Sequence, residues 1–237
     1  MTYTDLTFES LGNGIEICIS TEHRFGTDAF LLADFAGARH KDLCADLCSG
    51  SGIIALLLQK NFQPERIYAL EIQEKAHRQL RVSLERSGIT NILPVLGDLK
   101  DWKCGRELDL ITCNPPYKIC GTGAKNGSEA VSIARHEMMC TVDDVCACAK
   151  KNLKFGGRLC ICNRPERLCD IMISMRKNGI EPKRLRTVHK NPGCPPWLIL
   201  VEGKKGGKPF IQIEKPLYVR SADGGNSEEM MRIYGLD

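Results

Sequence analysis

Four consecutive residues, Asn114, Pro115, Pro116 and Tyr117, have the types and spacing to act on an amino group attached to a conjugated system. The lone pair of such a nitrogen is delocalised, so it is a poor nucleophile. If the Asn114 side-chain oxygen and the Pro115 carbonyl each accept one amino hydrogen, the nitrogen moves toward tetrahedral geometry and aims its lone pair at an electrophilic methyl group. The paired prolines fix the backbone and remove two N–H donors, so the carbonyls of the loop meet no donors from those residues. Tyr117 adds a flat face on which an extruded base can stack. Neither a metal nor a strong base is needed. In isolation these four residues would read as a rigid turn, and it is their position at the carboxyl end of the apolar run 108–113 that makes them a candidate site.

A second constellation lies upstream. The apolar run 43–47, which includes Asp46, leads into Cys48-Ser49-Gly50-Ser51-Gly52 and then into the apolar stretch Ile53 to Leu58. Glycines at Gly50 and Gly52 let a ligand approach the backbone closely. Glu71 follows Gly50 by 21 residues, at the end of the next strand, where a carboxylate can accept hydrogen bonds from both ribose hydroxyls. Asp98 ends a third apolar run and can accept a hydrogen bond from an adenine amino group, or cap the turn before Leu99. Ile72 and Leu99, beside these acids, complete the candidate nucleoside site. Gly50, Gly52 and Ala55 also satisfy the G-x-G-x-x-G/A pattern of dinucleotide enzymes, so the glycines alone do not choose between NAD and S-adenosylmethionine.

These residues must be positioned by a sheet. The pattern predicts strands near 43–47, 66–71, 92–96, 108–113 and 157–162. Helices are predicted near 52–60, 74–87, 141–153 and 166–178, the rhythm of a doubly wound, Rossmann-like α/β fold. Runs near 184–189, 197–202 and 209–213 have no helix between them and are expected to pair antiparallel at one sheet edge. Ahead of the sheet, runs 6–10 and 15–20 flank Gly12-Asn13-Gly14 and predict a β-hairpin. Thr27 or Asp28 can cap a short helix that ends at Gly37. The reading is of one domain over 1–237: hairpin and helix to 40, a catalytic core over 41–220 and a C-terminal tail.

With these residues in place, the chain resembles the adenine N6-methyltransferases of RNA, and most closely the bacterial enzymes that modify the adenosine 3′ of the anticodon in a valine tRNA. Besides Asp46 to Gly52 and Asn114 to Tyr117, the resemblance includes Phe25 to Leu32, Ala134-Arg135-His136-Glu137 and Lys215-Pro216-Leu217. It implies a seven-stranded class I methyltransferase fold, S-adenosylmethionine as cofactor and RNA, above all tRNA, as partner. It also implies that Thr27, Asp28 and Phe30 cover the methionine end of the cofactor, that Asn114 touches cofactor as well as substrate, and that Pro116, Tyr117, Lys118 and Lys125 meet the substrate. The segment 118–132 reads as a flexible basic loop that orders on RNA binding, and His136 and Glu137 as an RNA contact or a capped helix. One departure stands out: the family has glycine where this chain has Cys48, and a cysteine is expected to avoid positive φ and to shift the local backbone.

Composition narrows the alternatives. Hydrophobic residues make up 43% and charged residues 26%, no apolar run reaches the roughly 20 residues of a membrane helix, and the start MTYTDLTFES lacks a secretory pattern. A cytoplasmic, soluble protein is expected. The 13 cysteines contain no pair of C-x-x-C elements, so they read as small buried hydrophobes rather than a metal site or a disulfide framework. From Lys150 to Arg220 there are 17 Lys and Arg against 5 Asp and Glu, net +12, whereas the rest is net −8 from 16 against 24. That asymmetry suggests a surface for a polyanion. Related enzymes with the same tetrapeptide methylate a glutamine carboxamide of release factors, but they carry a helical domain before the core, which the first 40 residues here do not form. A guanine N2-methyltransferase, a non-enzymatic RNA-binding scaffold and a nicotinamide enzyme are the remaining alternatives.

Overall fold

The computed structural model describes residues 6–20, 25–115 and 140–236. Pro116, Tyr117, Lys118 and Lys125, the segment 118–132 and Ala134 to Glu137 lie outside the described residues.

The chain opens with a hairpin of β1 (Thr7–Gly12) and β2 (Ile15–Ile19). Asn13 and Gly14 both have positive φ, 53° and 74°, the backbone that a tight two-residue hairpin turn requires. Next come α1 (Thr27–Ala36), β3 (Leu43–Leu47), α2 (Ile53–Phe62), β4 (Arg66–Glu71), α3 (Glu74–Ser87), β5 (Ile92–Leu96) and β6 (Leu108–Cys113). After the undescribed segment the order is α4 (Val142–Asn152), β7 (Leu153–Asn163), α5 (Leu168–Lys177), β8 (Ile180–His189), β9 (Pro196–Lys205), β10 (Gln212–Ile213), β11 (Leu217–Tyr218) and α6 (Glu228–Tyr234). The exposed edge of β2 is covered by α3: the Cys18 and Glu16 amides donate to the hydroxyls of Ser83 and Ser87 at 2.8 and 3.0 Å.

The main sheet runs β5-β4-β3-β6-β7-β9-β8, with β10 and β11 both on the outer edge of β8. The first five strands are parallel, and β9 is antiparallel to both neighbours. The parallel sheet, the helices that wind it and the antiparallel edge are those expected. The last runs differ. Of 209–213 only 212–213 is a strand, and it pairs with β8 parallel, as does β11. The reason is topological: β9 ends opposite the start of β8, Ile180 facing Lys205, so a short connection leaves the chain at the foot of β8 and it can only climb that edge in the same direction. Pro216 then interrupts pairing because it has no N–H. The segment read as a C-terminal tail includes the helix α6, capped by the Ser227 hydroxyl, which accepts from the Met230 amide.

Both faces of the sheet are covered. One core contains the hairpin, α1, α2, α3 and α6, the other α4 and α5. Cysteines serve as packing residues, seven of them fully buried, and those described are free thiols.

The helix α1 is fastened to the sheet at its C-terminal end. Arg158 on β7 donates to the carbonyls of Ala36 and Gly37 at 2.6 and 2.9 Å, and Arg184 on β8 to that of Phe35 at 2.6 Å, with its guanidinium 4.3 Å over the Phe35 ring. These carbonyls carry the negative end of the helix dipole and have no partner within the helix. Between the two arginines stands Glu202 of β9, its Oε2 at 3.1 Å from Arg158 and 3.2 Å from Arg184. Burial pulls Arg158 toward deprotonation, but the neighbouring Cys160, Glu202 and Asp42 together outweigh it and leave its pKa raised. Replacing Glu202 by alanine removes the carboxylate that the two half-buried cations share and leaves Arg158 with Asp42 at 3.8 Å and Arg184 with Glu214 at 3.1 Å, so a loss of about 1–3 kcal/mol in unfolding free energy is expected in denaturant titration. A loss below about 1 kcal/mol would mark the cluster as no stronger than ordinary surface pairs.

Candidate active site

The strands β3, β4, β5 and β6 end at one rim, where a doubly wound sheet presents ligands to its loops. Asn114 follows β6 directly, and its side chain is held from two sides. Its Nδ2 donates to Asp28 Oδ2 at 3.0 Å, and its Oδ1 accepts from the Cys162 thiol of β7 at 3.1 Å. A carboxylate can only accept, so Asp28 turns the NH2 toward α1 and the oxygen the other way. That oxygen has a second lone pair for a substrate amino hydrogen. Pro115, the next residue, is buried.

Asp28 does not cap α1 through the N2 or N3 amide. The N-cap is Gly26, and Asp28 Oδ1 accepts from the Ala29 amide at 3.1 Å. Thr27 hydrogen-bonds through its hydroxyl to Tyr234 at 3.0 Å, and Phe30 meets the edge of the Tyr234 ring at 5.0 Å. Arg232 pairs with both oxygens of Asp34 at 2.8 and 2.9 Å. Thus α6 clamps α1 from outside. Sequence reasoning missed Tyr234 and Cys162, since no local signal links a residue 207 positions away to Thr27 or a strand cysteine to the Asn114 amide.

The loop after β3 is built from left-handed backbone. Cys48 has φ 56° and Gly50 φ 55°. The expectation that cysteine would avoid positive φ fails: Cys48 sits in the small left-handed region open to L-residues, at a cost of roughly 1–2 kcal/mol. The surrounding contacts over-determine the loop. The Ser49 amide donates to the Leu70 carbonyl at 3.0 Å, the Gly50 amide to Glu71 Oε2 at 2.8 Å, and the Cys48 sulfur lies 3.9 Å from that of Cys140. The two glycines have different tasks. A Cβ on Gly50 would meet open space, whereas one on Gly52 would strike Leu80 Cδ1 at 2.3 Å. Gly50 gives room over the loop, and Gly52 permits α2 to pack on α3.

The acids differ as well. Glu71 is buried, and its two oxygens accept from the Gly50 and Gln73 amides at 2.8 and 2.9 Å, each keeping a further lone pair. Asp98 Oδ1 accepts from the Lys100 amide at 2.9 Å, so it does cap its turn. Leu99 is buried in the core. The apolar side chains that face outward at this rim are Ile72 and Leu96, the second of which sequence reasoning missed. Asp46 is fully buried. Its Oδ1 accepts from the Thr112 hydroxyl at 2.8 Å, while Oδ2 has no hydrogen-bond partner. Burial and the nearby Glu71 charge push its pKa up to about 7, against the Thr112 hydrogen bond.

The model of the methyltransferase small domain family matches residues 22–175, well over half of the chain. The chain belongs to this family. The tRNA1(Val) (adenine(37)-N6)-methyltransferase of Porphyromonas gingivalis is 28% identical over 225 residues, 89% of this chain and 86% of that one. The protein of the same name from Actinobacillus pleuropneumoniae serotype 7 is 38% identical over 96 residues, so the alignment spans 41% of that relative's length. Among solved structures, a predicted O-methyltransferase from Agrobacterium tumefaciens superposes with a TM-score of 0.69 at 18% identity, covering 87% of this chain and 95% of that one. M. jannaschii TYW2 in complex with AdoMet gives 0.55 at 15%, covering 84% and 85%. At such identities these two likenesses show the fold alone. No helix among the described residues is long and apolar enough to cross a membrane.

The methyltransferase takes its methyl group from S-adenosylmethionine. The residues present fit that group. Gly50 leaves space over the loop, Glu71 keeps acceptor capacity for ribose hydroxyls, Ile72 and Leu96 offer apolar faces to a purine, and the orphaned Asp46 Oδ2 lacks the N–H donor that an ammonium group provides.

A raised carboxyl pKa fixes a sign. The neutral Asp46 favours the fold below its unfolded value near 4, and this contribution is lost as pH rises through about 7. Asp46→Asn is therefore expected to stabilise the cofactor-free protein at pH 8 by about 1–3 kcal/mol and to flatten the stability change between pH 4 and 7, while weakening cofactor binding. Denaturant midpoints across that range and calorimetric titration test both halves. An undiminished pH slope in the variant would assign it to other groups.

Proposed function

We propose that this S-adenosylmethionine-dependent methyltransferase methylates the exocyclic N6 of an adenine in RNA, specifically the adenosine 3′ of the anticodon of a valine tRNA. The observation that carries the reading is the oriented amide of Asn114, held between Asp28 and Cys162 at the end of β6, beside the loop that carries Gly50. The name of the Porphyromonas gingivalis relative, similar over 89% of the chain, supports the substrate.

In this reading Asp46, Cys48, Gly50, Gly52, Glu71, Ile72, Asp98 and Leu99 form the cofactor cleft, with Thr27, Asp28 and Phe30 closing its methionine end. S-adenosylmethionine supplies an electrophilic methyl group on a sulfonium. The Asn114 oxygen and the Pro115 carbonyl accept the two amino hydrogens, so the nitrogen's lone pair leaves the ring and points at the methyl carbon. The new N–C bond would form as the S–C bond breaks, and the nitrogen would then release one hydrogen as a proton to water. Pro116 and Tyr117 would bound the base, and Lys118 and Lys125 the nearby phosphates. Asp28 does no proton transfer. It keeps the amide from flipping, which would present an NH2 where an acceptor is required.

Purified protein incubated with radiolabelled S-adenosylmethionine and RNA from a strain lacking the gene is expected to yield labelled N6-methyladenosine in the tRNA fraction. Asn114→Ala should lower the rate by about 10²–10³-fold, the scale of losing one transition-state hydrogen bond, with cofactor affinity changed far less. Label in a release factor instead of RNA would move the assignment to glutamine methylation.

A further inference from the structure

The basic C-terminal third does not form one continuous surface. Many of its cations are already engaged: Arg158 and Arg184 hold α1, Arg186 grips Glu229 at 2.8 Å, the exposed Arg176 pairs with Glu181 at 2.7 Å, and Lys205 donates to the carbonyls of Lys150 and Leu153. Among the described residues, Arg164, Lys190 and Arg220 are exposed and have no carboxylate partner. They share one edge of the sheet.

Their placement follows from the strand order. Asn163 ends β7, next to Asn114 after β6, and the Cys162–Asn114 hydrogen bond ties the two strand ends together. Because β9 is reversed, its beginning, at Pro196 and Trp197, lies at the same rim as the end of β8 at His189. Arg164 donates to the Trp197 carbonyl at 3.3 Å. Lys190 follows His189, and its carbonyl accepts from the Arg220 amide at 2.8 Å. Tyr218 stands beside His189, ring centroids 5.6 Å apart. The order along the rim is thus Asn114, Arg164, Trp197, Lys190, Arg220. It covers about 19 Å, four strand spacings of ~4.8 Å.

We propose that this rim is the track for the RNA backbone leading to the reacting base, its phosphates on Arg164, Lys190 and Arg220 and unpaired bases against the part-exposed Trp197 and Tyr218. The inference rests on RNA being the substrate. Three unpaired cations in a row neutralise phosphates spaced along a strand, interleaved rings accept the π-faces of bases, and the row begins at the catalytic amide. An acidic protein segment would engage the cations and leave the rings without a role.

The test compares two triple variants for binding and methylation of valine tRNA over a range of salt concentrations. Arg164→Gln/Lys190→Gln/Arg220→Gln is expected to raise Kd and KM about 10–100-fold and to reduce the slope of log K against log salt by about 2–3. The kcat at saturating tRNA and the affinity for S-adenosylmethionine should stay within about twofold, the latter also showing that the variant is folded. The control Lys150→Gln/Lys204→Gln/Lys208→Gln, at the other end of the sheet, should behave as wild type. Wild-type binding and slope in the rim variant, or equal losses in the control, would overturn the track while leaving the substrate assignment standing. Wild-type protein that neither binds nor methylates tRNA would overturn the assignment and the track together. The single variant Lys190→Gln, at an exposed loop position, gives a further reading, with a slope change near 1 expected.

Discussion

Everything at the rim depends on how α1 is held, and the decisive contact is the carboxylate of Glu202 between Arg158 and Arg184. Two guanidiniums directed at the carbonyls of Phe35, Ala36 and Gly37 would repel each other without a shared anion. With it, they form a charged clamp that fixes the C-terminal end of a ten-residue helix. A helix fixed at one end is a rigid lever of about 15 Å, so its other end is fixed too. That other end carries Thr27, Asp28 and Phe30. Arg232 on Asp34 and Tyr234 on Thr27 add a second fastening from α6, which ties α6 to both halves of α1.

The lever reaches the chemistry through one hydrogen bond, from Asn114 to Asp28. An amide side chain can present its oxygen or its NH2 to a given side, and only its surroundings select between the two. Asp28 selects by accepting and the Cys162 thiol by donating. Thiols beside a methyl donor raise a problem, since a thiolate would itself be a good nucleophile. Nearby cysteines are kept neutral. Cys113 is held at about 11 by burial, although its hydrogen bond with Cys48 pulls it down, and Cys48 is raised by its contact with Cys113 together with burial. Burial thus makes cysteines compatible with the site while retaining them as packing groups.

The sheet was legible because hydrophobic periodicity is local: four of the five parallel strands lie where the pattern puts them, β7 begins at Leu153, ahead of the expected 157, and Gly37 ends α1 in left-handed geometry as a C-terminal glycine should. The acids were legible because their spacing reflects strand and helix lengths. What escaped depended on contacts distant in sequence. The parallel course of β10 and β11 follows from where β9 leaves the chain, not from their composition, and α6 has too few turns for a periodic signal. The roles of Gly50 and Gly52 look alike in a motif and separate only when Leu80 is seen against one of them. Cys48 shows the converse, a local rule about φ overruled by the Ser49 and Gly50 hydrogen bonds that directly follow the strained residue.

Net charge is the feature whose meaning changed most. A surplus of +12 over 150–220 suggests a basic face, yet two of its largely covered cations, Arg158 and Arg184, serve the helix end and share Glu202. Arginines that hold main-chain carbonyls and pair with buried carboxylates add to the formal charge without adding accessible potential. The electrostatic surface is therefore decided by topology rather than by composition. The reversal of β9 brings the start of one strand to the ends of its two neighbours, and at that junction Arg164, Lys190 and Arg220 lie in line with Asn114. A sheet parallel throughout would have put the start of this strand, with Trp197, at the opposite end from Asn114.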